Sequence, residues 1–410
     1  MTGRSDLPVR GVSAGGRVAE VKQVTRRSLV GLVIVLALLC PSAAGALSRG
    51  TSTAHATESV TARSVARLGL FSSWLAKGQA RGLIGEVGWP GNPAAAGDLR
   101  WNRVAEAWYR AARARNLWVA AWATGELWAT NYKLAIFRAA QPASPVAFAN
   151  PQARVVEAQG PDSLRGINTE QGAFGEFGSG FDPLAPTSPL SNRNPGTYGS
   201  TYAYPTAATY AYLAGRGITY VRLAFRWERL QPYPNGSLDG VELARLRTSV
   251  EAAGRAGIRV ILDCHNYGVY FASGGGEGIR LQLGSSRLPV TDLADLWRHL
   301  SLAFRNEEAV IGYGLMNEPV GATSARAWEA ASAAAAAAIR ANGDRRRMFV
   351  AAFGWDGVGD FARSHPAGPW ISDPVANTWY EAHEYFDSDM TAHYRLSFDD
   401  EASAARRSGY

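Results

Sequence analysis

The chain has 410 residues, 47% apolar, 10% aromatic and 19% charged, a globular composition long enough for one large or two ordinary domains and incompatible with disorder as the main state. Its formal charge is +7, but six basic and two acidic residues precede Leu47; the remainder carries about +3, with no dense Lys/Arg stripe interleaved with aromatics, which excludes a nucleic-acid partner. Of the two cysteines, Cys40 and Cys264, only Cys264 lies beyond the leader, so an internal disulfide and a cysteine-rich metal site are excluded as well.

The first element is a targeting segment. Arg26 and Arg27 precede an apolar run at 29–39, then Pro41 and the small residues Ala44-Gly45-Ala46. Residues 1–46 are therefore expected to be a secretory signal peptide, and TRRSLV resembles the twin-arginine type. Eleven apolar residues are too few to span a bilayer, so the product is expected to be secreted and free of the membrane. Residues 47–62 are small, polar and unpatterned, and read as a flexible segment.

Helical spacing begins in ARSVARLGLFSSWLAKGQA and leads into a buried strand at 83–87, which runs through Glu86 and stops at Gly-Trp-Pro. A helix in WNRVAEAWYRAARARN and a strand in LWVAAW, ending at Trp122, follow; the Pro- and Ala-rich stretch 141–161 reads as a connector. Six further strands are predicted in LRGINT, YVRLAF, RVILDCH, VIGYGLMNEP, MFVAAFGW and WYEAHEYFD, separated by helical patterns, with a polar tail at 394–410. GAFGEFGSG at 172–180 fits no dinucleotide fingerprint and reads as a loop. Eight strands alternating with helices predict an α/β fold, a (β/α)8 TIM barrel forming one domain over 63–410, with an open doubly wound sheet as the structural rival.

In such a barrel, chemistry gathers where strands end. Arg222 lies in VRLAF, His265 follows RVILDC, Asn317 and Glu318 end YGLMNEP, and His383 and Tyr385 end YEAHEY. Each alone has a structural reading: an ion-paired arginine, a hydrogen-bonded histidine, an Asn-Glu-Pro turn. Together, carboxylic acids flanked by Arg, His, Asn and Tyr on one rim match the needs of glycoside hydrolysis.

The motifs YGLMNEP, LDCHNYG, VRLAFRWERLQP and HEYFDSD resemble glycoside hydrolase family 5, closest to its cellulase-type endo-β-1,4-glucanases, over essentially the whole chain beyond the leader. The resemblance implies Glu318 as acid/base, Asn317 as a contact to the sugar 2-hydroxyl, and Arg222, His265, His383 and Tyr385 as supporting residues. One feature departs from the family order, which places the nucleophile strand and a sugar-platform tryptophan after the His-x-Tyr motif; no such strands follow Tyr385 here. GLIGEVGWP and LWVAAWATGELW at the front resemble those missing strands, making Glu86 the nucleophile and Trp122 the platform. The implied order is seven, eight, then one to six, a circular permutation joined through 141–161.

Trp128, Trp227 and Tyr267 are further candidates to contact sugar, with core or loop packing as the structural reading of each. The expected activity is retaining hydrolysis of β-1,4-glucan by a monomer acting on a polysaccharide or oligosaccharide. Alternatives are a mannanase, an exo-β-glycosidase or an inactive carbohydrate-binding barrel. No cofactor or metal is expected: HEYFD lacks paired histidines at i, i+4, and DSD after Phe386 reads as a loop cap.

Overall fold

A computed structural model describes residues 43–92, 97–160, 164–175 and 182–410, with the backbone alone for 43–53. Residues 1–42, most of the expected signal peptide, and 176–180 of the glycine-rich stretch lie outside the described residues. Among the described residues, eight parallel strands close into a barrel in chain order: β1 (Arg81–Gly88), β2 (Trp118–Thr124), β3 (Gly166–Thr169), β4 (Tyr220–Phe225), β5 (Arg259–Cys264), β6 (Val310–Gly314), β7 (Arg347–Ala351) and β8 (Thr378–Tyr385). β8 closes onto β1 with pairings from Arg81↔Trp379 to Gly88↔Tyr385. This is the predicted (β/α)8 barrel rather than an open sheet.

The outer helices are α1 (Ala43–Lys77), α2 (Arg100–Ala114), α3 (Ala207–Gly215), α4 (Gly240–Arg255), α5 (Val290–Ala303), α6 (Ala325–Ala341) and α7 (Phe398–Arg407). Side-chain caps start several of them: Thr206, Asp239, Ser324 and Ser397 each accept the backbone N–H of the residue three positions on, satisfying a donor with no partner inside the helix. In α2, Trp101, Val104, Ala105, Trp108 and Ala112 recur at helical spacing and form the buried stripe.

The barrel interior is layered by the two-residue period of its strands. Leu83, Ala120, Tyr220, Ile261, Phe349 and Trp379 form an apolar floor separate from the main core. Two residues on, along the same faces, the side chains become charged: Arg222, Asp263 and Glu381, all buried. Two further on stand His265 and His383, and then Tyr385. β1 reaches this upper layer through an irregularity, because Leu83 pairs with Glu381 and Ile84 with Ala382, but Glu86 pairs with His383. Gly85 is the extra residue of a bulge, a device that re-aims the next side chain. Its carbonyl accepts a hydrogen bond from Asn168 Nδ2 at 2.7 Å.

Two expectations need correction. Residues 47–62, read as flexible, lie within α1, where Ala56 and Val60 are buried against the core; their small side chains suit close helix packing as well as they suit a loop. The polar tail is helix α7, whose Glu401 is buried and pairs with Arg63 of α1 at 2.8 Å. The connector is ordered over much of its length: Val146–Ala149 pairs antiparallel with Phe137–Ala139, and a helical turn follows at Ala153–Glu157. Among the described residues, no helix is long and apolar enough to cross a membrane.

Candidate active site

Glu86 and Glu318 face each other at the C-terminal mouth of the barrel, with one carboxylate oxygen of each within 4.8 Å of the other. Glu86 is fixed at both oxygens: Tyr385 donates its hydroxyl to Oε2 at 2.6 Å, and Arg222 Nη1 lies 3.3 Å from Oε1. Burial and the Glu86 charge push the Tyr385 hydroxyl well above its ordinary range, so it remains a donor. Glu318 is the more open of the two, with its side chain 14% exposed against 3%. Its backbone is left-handed (φ 40°), a conformation that costs a non-glycine residue roughly 1–3 kcal/mol. Hydrogen bonds from Asn317 N to Cys264 O and from Tyr267 N to Asn317 O hold the turn in place. Burial, with the Glu86 charge adding to it, raises the Glu318 pKa and favours the protonated acid, although His383 pulls the other way.

Arg222 ties the pair to the charged layer beneath. Its guanidinium lies 2.9 Å from Asp263, 2.7 Å from Glu381 and 2.7 Å from Asn317 Oδ1. Burial opposes this charge, and the surrounding acids outweigh burial. Burial pushes Asp263 up to about 7, while Glu381, despite its own burial, is held low chiefly by Arg222. His265 contacts Asp263 through Nδ1 (2.8 Å) and Asn317 Nδ2 through Nε2 (3.0 Å). Burial lowers its pKa, which favours the neutral ring, although Glu170, 2.9 Å from Nε2, pulls the other way. Asn317 is thus pinned at both ends, with one Nδ2 hydrogen left for a ligand.

His383 stands between the two candidate carboxylates: Nδ1 is 2.8 Å from Glu318 Oε1 and 3.5 Å from Glu86 Oε2. On its other side, Nε2 faces Glu381 at 3.4 Å and Asp356 at 3.6 Å. Among the described residues, two His–carboxylate groups are compact enough to share a small cation, Glu86–Glu318–His383 and Asp356–Glu381–His383. The same imidazole serves both groups, and Arg222 already occupies Glu381.

Aromatic rings line the cleft. Trp122 lies two residues before the end of β2, which runs on to Thr124 rather than stopping at Trp122; it donates Nε1–H to Tyr132 at 2.7 Å and stacks near His265 at 6.3 Å and 29°. Trp128, half-buried, packs edge-on to Trp122 and flat on Tyr132. Tyr267 Oη lies 3.0 Å from His265 Nε2, and its ring meets that of Trp355 at 6.3 Å. Trp355, on the loop after β7, is 49% exposed. Trp227 is a correction: it is fully buried, donates Nε1–H to Gln231 and packs edge-on to Tyr270, so it belongs to the core and cannot reach a sugar.

Glu86, Arg222, His265, Asn317, Glu318, His383, Tyr385, Trp122, Trp128 and Tyr267 are therefore brought together, and Trp227 is not. Missed were Asn168, Glu170, Asp263, Asp356 and Trp355, along with Glu381, noticed only as an unsuitable nucleophile. The two-residue period carried a signal for two of these: Asp263 precedes His265, and Glu381 precedes His383, by one strand repeat. Glu170 lies 2.9 Å from His265 Nε2 but comes from a single 3₁₀ turn, Glu170–Ala173, after β3, too short for periodicity to point to it.

The family model described as cellulase (glycosyl hydrolase family 5) matches residues 182–409, more than half of the chain. Endo-β-1,4-glucanase B of Aspergillus niger is 30% identical over 196 residues, 48% of this chain and 55% of that protein. Among solved structures, an endo-β-1,4-glucanase from Xanthomonas axonopodis pv. citri is 36% identical, over 48% of this chain and 62% of that one, with a TM-score of 0.43. An endoglucanase from Pseudomonas stutzeri, solved with cellobiose, is 32% identical over 53% and 60%, with a TM-score of 0.45. The chain thus spans about half the length of the curated relatives it matches.

Proposed function

This chain belongs to glycosyl hydrolase family 5, and from that premise we propose that it is a retaining hydrolase of β-1,4-glucan on a circularly permuted barrel, with Glu86 as nucleophile and Glu318 as acid/base. The observation that carries the reading is the spacing of the two carboxylates, whose nearest oxygens lie within 4.8 Å. That fits the roughly 5–5.5 Å of a double displacement and leaves no room for the water that an inverting site holds between groups about 6.5–9.5 Å apart.

In the first step, a Glu86 oxygen bonds to the anomeric carbon as the glycosidic C–O bond breaks, and Glu318 gives its proton to the departing oxygen. Glu318, now a carboxylate, then takes a proton from water, which displaces Glu86 and releases the sugar. Arg222 and Tyr385 aim the nucleophile. The free Nδ2 hydrogen of Asn317 is placed for the sugar 2-hydroxyl, and that bond strengthens as charge develops in the transition state. Trp122, Trp128, Tyr267 and Trp355 offer aromatic faces beside the pair. β-1,4-glucan is favoured as substrate because the matched relatives are named endo-β-1,4-glucanases.

The permutation is supported by the placement of Glu86 and Trp122 ahead of the matched region, which begins at residue 182. It is also supported by the joining of α1 to the segment after β8. Arg63 pairs with Glu401 and donates to Phe386 O, and Arg67 donates to the carbonyls of Asp387 and Ser388. We read residues 63–410 as one catalytic domain, exported behind the 1–46 leader and acting as a monomer.

The test is hydrolysis of soluble β-1,4-glucan and of mannan by the mature protein beside Glu86→Gln and Glu318→Gln. Glucan cleavage lost in both variants is expected. Wild-type rates in Glu86→Gln would refute the assignment, and mannan cleaved faster than glucan would redirect the substrate.

A further inference from the structure

His383 contacts both carboxylates of the reacting pair, yet the acids behind it have no part in the steps above. Of the two facing Nε2, Glu381 is already held by Arg222 at 2.7 Å. Asp356 is different: its Oδ2 is buried without a hydrogen-bond partner, and among the described residues its ion-pair neighbour is His383, 3.6 Å away. The loop after β7 is shaped to deliver this carboxylate. Asp356 takes a left-handed backbone (φ 55°), and Ala352 N–H donates to its Oδ1 at 2.6 Å. His383 N–H donates to its carbonyl at 2.6 Å, while Val358 N–H donates to His383 O at 3.1 Å. Strained backbone held by that many bonds, ending in an oxygen with one cationic neighbour, calls for a role.

We propose that Asp356 is a positioning residue for the acid/base: its buried Oδ2 stands behind His383 Nε2 as a second acid beside Glu381 and so helps keep the ring an imidazolium between Glu86 and Glu318. The inference rests on the roles given to those two glutamates. During glycosylation the negative charge leaves Glu86, as its oxygen bonds to carbon, and appears on Glu318, as its proton goes to the leaving oxygen. The second half-reaction returns it. An imidazolium with Nδ1–H 2.8 Å from one carboxylate and 3.5 Å from the other faces the charge in both places, with little rearrangement.

Burial alone would discharge the ring, so it depends on its neighbours. These are Glu86 of β1, Glu318 after β6, Glu381 on its own strand and Asp356 after β7, with Asp263 and Arg222 in the layer below. Burial works against the His383 charge, but Glu86 and the other acids outweigh it and raise the pKa well above the ordinary value. Burial drives the Asp356 pKa up, and the His383 charge 3.6 Å away opposes that rise.

Asp356→Asn keeps an acceptor for Ala352 N–H and removes the counter-charge. The experiment follows the ring nitrogens of histidine-labelled mature protein by NMR, beside the pH profile of kcat/KM. Expected is a wild-type His383 protonated at both nitrogens at neutral pH. In the variant it should lose a proton about one pH unit or more lower, with the alkaline limb of kcat/KM displaced by the same amount and the melting curve little changed. A merely structural Asp356 would alter the melt and leave both titrations alone, and that result overturns the proposal. If the variant does not fold, the wild-type spectrum decides, because a neutral His383 at neutral pH also overturns it. The NMR reading does not require glucan to be the substrate, so failure of the proposed function and failure of this inference remain distinguishable.

Discussion

Gly85→Ala tests how the barrel aims Glu86, the proposed nucleophile. Glu86 turns inward because β1 spends one residue more than β8 between the Leu83–Glu381 and Glu86–His383 pairings, and that residue has no room for a side chain. A Cβ at position 85 would stand 2.2 Å from Glu381 Oε1 and 2.6 Å from its Cδ. Glu381 cannot swing aside, because Arg222 holds it at 2.7 Å and His383 stands over it at 3.4 Å. Relief needs a movement of about 1 Å in the bulge or in the Arg222 network. Overpacking of this kind costs about 1–3 kcal/mol, and an error of about 1 Å in a reacting group costs about 10²-fold in rate. Gly82→Ala is the control, since its Cβ would meet the flexible ends of Leu75 and Leu117, away from the reacting groups. Urea melts and kcat on soluble β-glucan should separate the two: both variants lose stability, but Gly85→Ala alone loses rate. A Gly85→Ala protein with wild-type kcat would refute the reasoning.

Arg63→Met leaves Glu401 buried without its partner and should cost about 3–5 kcal/mol in a urea melt, with kcat per folded molecule unchanged. Trp355→Ala, at an exposed position, should leave the melt within about 0.5 kcal/mol. If its ring stacks on sugar, the same change should raise KM for cellopentaose by a few-fold to tenfold, as expected for about 0.5–1.5 kcal/mol of stacking. Glu384 turns away from the site, accepts Trp108 Nε1–H at 2.8 Å, and burial pushes it up to about 8 from 4.5. The folded state therefore binds this proton more tightly than the unfolded one, and the stability it contributes is present below about pH 4.5 and lost as pH rises through about 8. Glu384→Gln should match wild type in melts at low pH and exceed it at about pH 8.5; equal stability at both would count against the assignment.

The barrel was legible because its strands are short apolar runs ending at turn residues, and helical periods of ordinary length fill the gaps between them. The strand-end residues Arg222, His265, Asn317, Glu318, His383 and Tyr385 were legible for the same reason, since a strand's end fixes which rim its last side chain reaches. Glu86 was found through resemblance rather than periodicity: simple alternation puts it on the opposite face from Leu83, and only the bulge at Gly85 brings it round. Asp356 and Trp355 lie in a loop whose path is set by hydrogen bonds to another strand's backbone, which no local pattern encodes. Trp227 misled because an aromatic just after a strand end can turn either way, and here Gln231 offered its indole a partner inside. Residues 47–62 misled because small side chains mark both loops and close helix contacts.

The assignment of Glu86 as nucleophile is tested most directly by trapping the glycosyl–enzyme intermediate. The mature protein would be incubated with a 2-deoxy-2-fluoro cellobioside carrying an activated leaving group, and its peptides then mapped by mass spectrometry. The account predicts one sugar adduct, on the peptide containing Glu86, absent from Glu86→Gln. An adduct on any other acid, or glucan turnover with inversion at the anomeric carbon, would contradict it.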